Sequence, residues 1–268
     1  MERLSERAAR NLAAIREKKP LIHNITNYVV MNYTANALLA MGASPVMAHA
    51  PGEVEEMVSF ASALVLNIGT PDNNRIASMI KAGKKASELG IPVIFDPVGA
   101  GATSFRTDAA KKIIQDVSIR VIRGNPSEIL SLRHENSNTK GVDSLHSVEE
   151  AAETAKNLAG ELNTVLAITG PDDLVTDGEN VIRVSNGHPL MARVTGTGCT
   201  ATVSVAAFLS VDDDPVSAAA TGLAFFGMAG EVAGKKASAP GSFMIEMLNA
   251  LYTITPEELE EGCAICDA

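Results

Sequence analysis

The chain has 268 residues and a formal net charge of -10, with 46% hydrophobic residues, 4% aromatic residues and no tryptophan. This length fits one large domain or two small ones, and the apolar content is sufficient for a substantial core. The acidic balance argues against nucleic acid or an anionic membrane as partner. Any bound anion must therefore be held by local amides, a cation or a metal.

The cysteines and the first residues indicate the compartment. Cys199, Cys263 and Cys266 give no disulfide framework, which favours a reducing cytoplasm. Residues 1–20 lack the apolar core of a signal peptide, and no uninterrupted apolar run reaches membrane-spanning length. Cys263 and Cys266 form a lone C-x-x-C without the two further ligands of a zinc site, so we interpret them as an incidental tail.

The N-terminal third begins with a helical stripe over residues 2–18, which Pro20 ends. A short strand and a polar cluster follow, and we expect Asn24 or Thr26 to cap a helix that runs to Met41. His23 is predicted to make a structural hydrogen bond.

Two residues of this region are candidate ligand contacts, each with a simpler alternative. Asn27 either faces a ligand or stabilises a turn. Met47 follows a brief strand within residues 42–49, and its adaptable side chain either lines a pocket or belongs to the core. A short helix is expected over residues 53–61.

An apolar strand ending in polar or glycine residues then recurs, alternating with helical segments. The strands are residues 63–69, 91–99, 119–125 and 164–170, and the helices are residues 74–89, 106–116, 126–132 and 148–162. This alternation predicts an α/β fold with a largely parallel central sheet flanked by helices on both faces. Residues 173–187 predict an antiparallel hairpin at one edge.

The remainder is predicted to be helical over residues 201–209, 215–233 and 243–251. Residues 133–140, a short polar loop, are the nearest approach to a linker. We therefore expect a single domain spanning residues 1–268.

Polar side chains collect where the predicted strands end, and ligands of such sheets bind beyond these carboxyl ends. The strand ends carry Asn67, Asp96, Arg123, Asn125 and Thr169.

Three of these strand-end residues, and Glu128 in the helix that follows Asn125, are candidates for chemical roles. Asp96 and Glu128 are candidate direct or water-mediated magnesium ligands, although Glu128 also suits a helix start. Arg123 either holds phosphate oxygens or is a surface cation. Thr169 either contacts nucleotide or is an ordinary strand-end hydroxyl.

The stretch of residues 192–202 contains two glycines directly before an apolar helix. The unpaired backbone amides of Gly196 to Cys199, including those of Thr197 and Gly198, would form an anion hole for a phosphoryl group, and a turn before a buried helix is the alternative. The helix N-terminus would by itself lower the pKa of Cys199, and bound polyphosphate would raise it again. Cys199 is then a modest base, a group that orients an alcohol, or a small residue chosen for fit.

The glycines of this stretch can be set against two known nucleotide-binding motifs. No G-x-x-x-x-G-K-[ST] sequence occurs, so the chain is not a P-loop NTPase. Residues 196–201 match G-x-G-x-x-A, but the dinucleotide fingerprint requires a βαβ unit and an acidic residue about 20 positions later. An NAD(P)-linked oxidoreductase is therefore kept as a rival hypothesis.

Together these segments resemble the hydroxyethylthiazole kinase family. The resemblance rests on PLIHNITNYVVMNYTANALLAMGASPVMAHAPGEVEEM, NIGTPD, DPVGAGATSFRTDAA, IRGNPSEI, KGVDS and RVTGTGCTA, in order from about Pro20 to Phe243. It implies a ribokinase-like fold and the phosphorylation of 4-methyl-5-(2-hydroxyethyl)thiazole by ATP with Mg²⁺, in thiamine biosynthesis and salvage.

The resemblance also assigns residues. Met47 and Gly196 are expected to contact thiazole, with Asn27 beside them. Arg123 and Thr169 are expected to contact ATP, and the anion-hole amides inferred above would add contacts from Thr197 and Gly198. Asn125 and Glu128 match an Asn-x-x-Glu motif that organises magnesium near Asp96, and Cys199 occupies the place where many relatives carry an aspartate base. A homotrimer with its thiazole pockets between subunits is implied.

Three alternatives remain open at this point. A kinase of the same fold could act on another small alcohol, such as a hydroxymethylpyrimidine or pyridoxal. The oxidoreductase is the second alternative, and a non-enzymatic thiazole or thiamine sensor is the third. If the kinase is correct, we expect positioning and charge stabilisation to supply most of the rate, because a thiol is a mediocre base.

Overall fold

A computed structural model describes residues 2–133 and 148–267 of the chain. The strands are β1 (Leu21–Ile25), β2 (Ser44–Val46), β3 (Ala63–Asn67), β4 (Val93–Asp96), β5 (Val121–Gly124), β6 (Val165–Ile168), β7 (Asp173–Thr176), β8 (Val181–Val184) and β9 (Ile265–Asp267). Within the described residues these strands form one sheet in the order β2-β1-β3-β4-β5-β6-β7-β8-β9. The strands from β2 to β6 are parallel, and those from β7 onward pair antiparallel.

Helices connect the strands. They are α1 (Leu4–Lys18), α2 (Met31–Met41), α3 (Val54–Ser59), α4 (Asn73–Leu89), α5 (Ser104–Asp116), α6 (Pro126–Leu130), α7 (Val148–Leu162), α8 (Thr197–Leu209), α9 (Pro215–Lys236), α10 (Pro240–Thr253) and α11 (Pro256–Gly262), with a 3-10 helix at Pro189–Arg193.

Two apolar clusters cover the two faces of the sheet. One face is covered by α1, α2, α8, α9 and α10, with Phe208 and Phe225 among its largest buried side chains. The other is covered by α3 to α7 and contains Phe95. The strands between these layers are buried on both faces, which explains their continuous apolar runs. The predicted α/β class, with helices on both faces and an antiparallel edge, is confirmed.

The C-terminal tail adds an element that the sequence did not predict. Residues 265–267 form β9, which pairs with β8 and so places one more strand outside the predicted hairpin. Cys263 is half-buried against the core and Cys266 is exposed in this strand. The tail therefore belongs to the sheet. Of the predicted polar loop at residues 133–140, only residue 133 lies within the described residues.

The start of α2 differs from expectation. This helix begins at Met31, and its N-cap residue Val30 makes no side-chain capping hydrogen bond. Asn24 instead donates to the Thr34 hydroxyl over 3.2 Å, so neither Asn24 nor Thr26 caps the helix. His23 hydrogen-bonds the Ala48 carbonyl at 2.7 Å, as the expected structural role requires.

Among the described helices, α9 alone is long and apolar enough to cross a membrane by length and composition. It packs against α8 and α10, and 78% of its most apolar window is buried within the protein. These are properties of a helix that forms part of a protein core.

Candidate active site

The centre of the site lies where β3 and β4 end side by side. Their register pairs Asn67 with Asp96, so the two side chains emerge together at the carboxyl edge of the sheet. The Asn67 amide donates to Asp96 Oδ2 over 2.8 Å, and the Thr202 hydroxyl of α8 donates to the same oxygen over 2.8 Å. Asp96 is thus fixed by two donors from different elements.

Asp96 is completely buried, and burial raises its pKa to about 6. The Arg123 guanidinium, with Nη1 3.6 Å from Asp96 Oδ2, partly offsets this rise. The other oxygen, Oδ1, is buried and makes no hydrogen bond within the described part of the chain. A buried acceptor without a partner is costly, which marks this oxygen as a place for a ligand or its hydration shell.

Cys199 lies beside this pair, in the first turn of α8. Its sulfur accepts hydrogen bonds from the side-chain amides of Asn67 at 3.2 Å and Asn27 at 3.5 Å. Asn27 also donates to Asn67 Oδ1 over 2.9 Å. The structure therefore joins Asn27, near the start of the chain, to Cys199 through a buried amide network.

Burial and, to a smaller extent, the negative charge of Asp96 raise the pKa of the Cys199 thiol to about 11. The expected lowering by the helix N-terminus is therefore outweighed in the protein even without a bound phosphate. The largest cause is desolvation, which disfavours the charged thiolate. Cys199 is consequently a neutral thiol at neutral pH.

The N-terminus of α8 has open hydrogen-bond donors. Its N-cap, Gly196, makes no side-chain capping bond, and the first amide to be satisfied within the helix is that of Thr200, which donates to Gly196 O over 2.9 Å. Within the described residues, the amides of Thr197, Gly198 and Cys199 have no hydrogen-bond acceptor. Three open amides on one helix turn form the arrangement that binds phosphate.

A large cavity of about 860 Å³ opens next to these amides. Four of the predicted nucleotide contacts line it, namely Arg123, Thr169, Thr197 and Gly198. The Thr197 hydroxyl points away from this role, since it donates to the carbonyls of Met191 and Val194. Thr197 therefore offers the cavity its backbone amide.

Arg123 is held from two sides. Its Nη2 donates to the Thr169 hydroxyl, and its Nη1 lies near Asp96. Gly198 makes room for it, because a Cβ at Gly198 would come within 2.7 Å of Arg123 Nη1. The guanidinium is therefore a fixed cation at the base of the cavity, and not the surface cation considered as its alternative.

Glu128 forms a capping box at the start of α6. Its Oε2 accepts the Asn125 amide over 2.9 Å, and Asn125 Oδ1 accepts the Glu128 amide over 2.9 Å. Its Oε1 accepts the Gly99 amide over 2.9 Å and so ties α6 to the loop after β4. The helix-start interpretation of Glu128 is correct, and each carboxylate oxygen retains a further lone pair for a ligand.

The predicted thiazole contacts Asn27, Met47 and Gly196 do not line the large cavity. Gly196 has a φ of +86°, and a Cβ there would come within 2.5 Å of Val30, so this position favours glycine and packs closely on the segment that follows Asn27. Met47 is half-buried and follows the edge strand β2, next to β1. The structure brings Asn27 and Gly196 close to Cys199, whereas Met47 lies one strand further along the edge.

Three residues of the site were not assigned a role from sequence. Asn67 is marked in the sequence only as a strand end, Thr202 lies within an apolar helical run, and Asp173, which lines the large cavity, falls in the predicted hairpin. Strand register identifies Asn67 as the neighbour of Asp96, but only the packing of α8 on the sheet reveals Thr202.

The context of the G-x-G-x-x-A run argues against dinucleotide binding. Gly196 is preceded by the 3-10 helix at Pro189–Arg193 and not by a strand of the sheet. The fingerprint requires a strand immediately before its glycines. The oxidoreductase hypothesis thus lacks its structural basis.

Comparison with known protein families identifies a kinase family. The model of the hydroxyethylthiazole kinase family matches residues 12–257. The chain belongs to this family. It is therefore an enzyme, a kinase, and family membership implies ATP as the phosphoryl donor.

Individual relatives agree with this assignment. A protein of Desulfotalea psychrophila named hydroxyethylthiazole kinase is 64% identical over 265 residues, which cover 99% of this chain and 97% of the relative. The solved structure of the hydroxyethylthiazole kinase protein from Pyrococcus horikoshii OT3 matches with a TM-score of 0.89 and 44% identity, covering 97% and 98% of the two chains.

A more distant structure confirms the ribokinase-like fold. A ribokinase-like superfamily protein from Enterococcus faecalis V583 matches with a TM-score of 0.64 at 12% identity, covering 92% of this chain and 89% of the neighbour. At that identity the likeness concerns the fold alone.

Proposed function

We propose that this kinase transfers the γ-phosphoryl group of ATP to the hydroxyl of 4-methyl-5-(2-hydroxyethyl)thiazole, a step of thiamine biosynthesis and salvage. The observation that carries the proposal is the position of the first turn of α8. It presents open amides to the large cavity on one side, and Cys199 joins the amide network of Asn27 and Asn67 on the other. A donor phosphate and an acceptor alcohol can meet at this turn.

The nucleotide end of the site is built for polyphosphate. Arg123 supplies a fixed cation and Thr169 a hydroxyl. The amides of Thr197 and Gly198 lie at the N-terminus of α8, which is the positive end of the helix dipole. These groups stabilise charge on the transferring phosphoryl group, which is the main task of a protein in phosphoryl transfer. They also compensate locally for the net charge of -10.

The acceptor end positions an alcohol beside Cys199. Because the thiol has a pKa of about 11, it is not a pre-formed base at neutral pH. Its role in this proposal is to orient the hydroxyl together with Asn27 and Asn67. In a loose transition state the acceptor needs alignment more than early deprotonation, so positioning supplies most of the rate.

The residues present suit Mg²⁺. Asp96 Oδ1 is buried without a hydrogen-bond partner, and Glu128 has spare lone pairs on both oxygens. The described residues contain no group of three or more His, Cys, Asp or Glu that could hold a metal, and Mg²⁺ characteristically takes only one or two protein carboxylates with waters and phosphates. When bound, the ion neutralises phosphate charge. Asp96 and Glu128 would hold it directly or through water.

A homotrimer with active sites between subunits also forms part of the proposal. Tyr28 and Val29 directly follow Asn27 and are 64% and 65% exposed. Apolar side chains exposed next to the acceptor end suit contact with a second copy of the chain. Met47, which lies beyond direct reach of the Cys199 network, would then complete a thiazole pocket with that copy.

The proposal includes one functional domain and a cytoplasmic location. All described strands share one sheet, which supports a single domain over residues 1–268. The three cysteines are free thiols, as suits a reducing compartment.

Product analysis tests the function. The protein is incubated with ATP–Mg²⁺ and the thiazole alcohol, and the monophosphate ester is measured by mass spectrometry, with hydroxymethylpyrimidine and pyridoxal as competing acceptors. We expect the thiazole ester to form with the highest kcat/KM. Preferred phosphorylation of either competitor would contradict the substrate assignment, and ligand binding without turnover would favour the sensor.

A further inference from the structure

Asp173 places a carboxylate in the cavity that we assign to the nucleotide. It is the first residue of β7, opposite Val184 of β8, and it lines the same cavity as Arg123 and Thr169. Its Oδ1 accepts the Gly170 amide over 2.9 Å. Its Oδ2 accepts no hydrogen bond from the described residues, so the turn at Gly170 uses only half of the group's capacity.

A negative charge at this position requires an explanation, because the nucleotide is itself strongly anionic. Burial raises the pKa of Asp173 to about 6, so the group is ionised at neutral pH and accepts hydrogen bonds only. A carboxylate facing phosphate oxygens would weaken binding. If Oδ2 contacts the nucleotide, its partner is therefore a hydrogen-bond donor and not a phosphate oxygen.

ATP offers donors at two places, the ribose hydroxyls and the exocyclic amino group of adenine. Asp173 lies near the phosphate end of the cavity, since it accepts the backbone amide of Gly170, and the preceding residue, Thr169, accepts a hydrogen bond from Arg123. The ribose is the donor group nearest to the phosphates along the nucleotide. Adenine would then occupy the more distant part of the cavity, near Phe226 and Gly227 of α9.

From this geometry we propose that Asp173 accepts a hydrogen bond from a ribose hydroxyl and makes the kinase select ribonucleotides over deoxyribonucleotides. The inference rests on the proposed function only for the location of the nucleotide. A hydrogen bond to a charged acceptor commonly changes affinity by about tenfold or more. The effect should therefore appear in direct binding.

The test uses isothermal titration calorimetry of the full chain with Mg²⁺ and either ATP, 2′-deoxy-ATP or 3′-deoxy-ATP, without the acceptor alcohol. We expect the wild-type chain to bind at least one deoxy analogue about tenfold more weakly than ATP. In Asp173→Asn this ratio should fall to about threefold or less, because Oδ2 is replaced by an amino group. The remaining amide oxygen still accepts the Gly170 amide, so the turn is preserved.

Asp172→Asn is the matched control. It removes the same charge from the adjacent position, but Asp172 does not line the nucleotide cavity. The control should keep the wild-type ratio. If Asp173→Asn fails to fold, Asp173→Glu replaces it, and a displaced carboxylate should again reduce the ratio.

Three results would overturn the proposal. One is equal binding of ATP and both deoxy analogues by the wild type, which needs no variant. Another is a ratio unchanged by Asp173→Asn. The third is weaker binding of inosine triphosphate than of ATP by the wild type, with no such difference in Asp173→Asn. That result would assign Asp173 to the adenine amino group. Because no acceptor is present, failure to phosphorylate the thiazole alcohol would refute the proposed substrate and leave this result standing.

Discussion

The side-chain amide of Asn67 donates a hydrogen bond to the sulfur of Cys199 over 3.2 Å. This contact joins the end of a central strand to the first turn of α8. A sulfur that accepts hydrogen bonds is held in place, and its burial keeps it protonated, with a pKa of about 11. In the proposed mechanism, Cys199 therefore orients the acceptor hydroxyl and is not a pre-formed base.

Replacing Cys199 with serine tests this role. The serine hydroxyl can accept the same hydrogen bonds from Asn67 and Asn27, so we expect kcat to fall by no more than about tenfold. Loss of a true general base would cost about 100- to 10,000-fold. Steady-state kinetics with both substrates varied would distinguish the two, with Cys263→Ser as the control thiol removed from the site. A Cys199→Ser enzyme that binds both substrates and has no turnover would refute positioning.

Alkylation measures the protonation state of this thiol directly. The thiolate is the reactive form, so a pKa of about 11 predicts slow modification of Cys199 by iodoacetamide at pH 7. The rate should rise about tenfold per pH unit up to pH 9, because the thiolate fraction does so. Peptide mass spectrometry gives the rate at each cysteine, with the exposed Cys266 as internal reference. If the modification rate of Cys199 stops rising below pH 8, its pKa is lowered. The effect of the helix N-terminus would then outweigh that of burial.

Magnesium dependence tests Glu128. Glu128→Gln removes the charge and should shift the Mg²⁺ titration of activity to higher concentration, by about tenfold if the carboxylate contributes to the site. The substitution also disturbs the capping box. The two carboxylate oxygens each accept one backbone amide, of Gly99 and of Asn125, whereas a glutamine side chain has a single acceptor oxygen. Glu258→Gln is a matched control, since Thr255 and Glu258 form the same box at the start of α11. An unchanged magnesium titration in Glu128→Gln would remove Glu128 from the metal site.

The sequence predicted the parts of the fold that depend on local pattern. Buried parallel strands are continuous apolar runs, so β3 to β6 and the polar residues at their ends were identified. By contrast, β9 has three residues and depends on pairing with β8, which is a long-range interaction without a local periodicity. Its absence from the prediction follows from that difference.

The site shows the same division. Residue types and motifs indicated Asp96, Arg123 and Cys199, but the pKa of Cys199 depends on how deeply packing buries it. The helix end alone suggested a lowered pKa, whereas desolvation and the charge of Asp96 raise it. Asp173 has no motif to mark it, and only the shared cavity relates it to Arg123.

Gly198 offers a test of the nucleotide end that separates function from stability. A Cβ at this position would meet Arg123 Nη1 at 2.7 Å and Nη2 at 2.9 Å. The guanidinium can move, but it would leave its contacts with Thr169 and Asp96. We therefore expect Gly198→Ala to raise the KM for ATP by about tenfold, as loss of one charged hydrogen bond would. The melting temperature should change little, because the helix propensity of alanine, up to about 1 kcal/mol, offsets the loss of the contacts of Arg123.

Gly241→Ala is the appropriate control for this substitution. Gly241 also lies in the first turn of a helix, α10, but a Cβ there would meet no atom within 4 Å. The control should keep the wild-type KM and gain the same helix propensity. If both variants bind ATP as the wild type does, then the close approach of Gly198 to Arg123 does not set phosphate affinity. The cation would then have to be assigned a different role, such as holding Asp96 in its buried state.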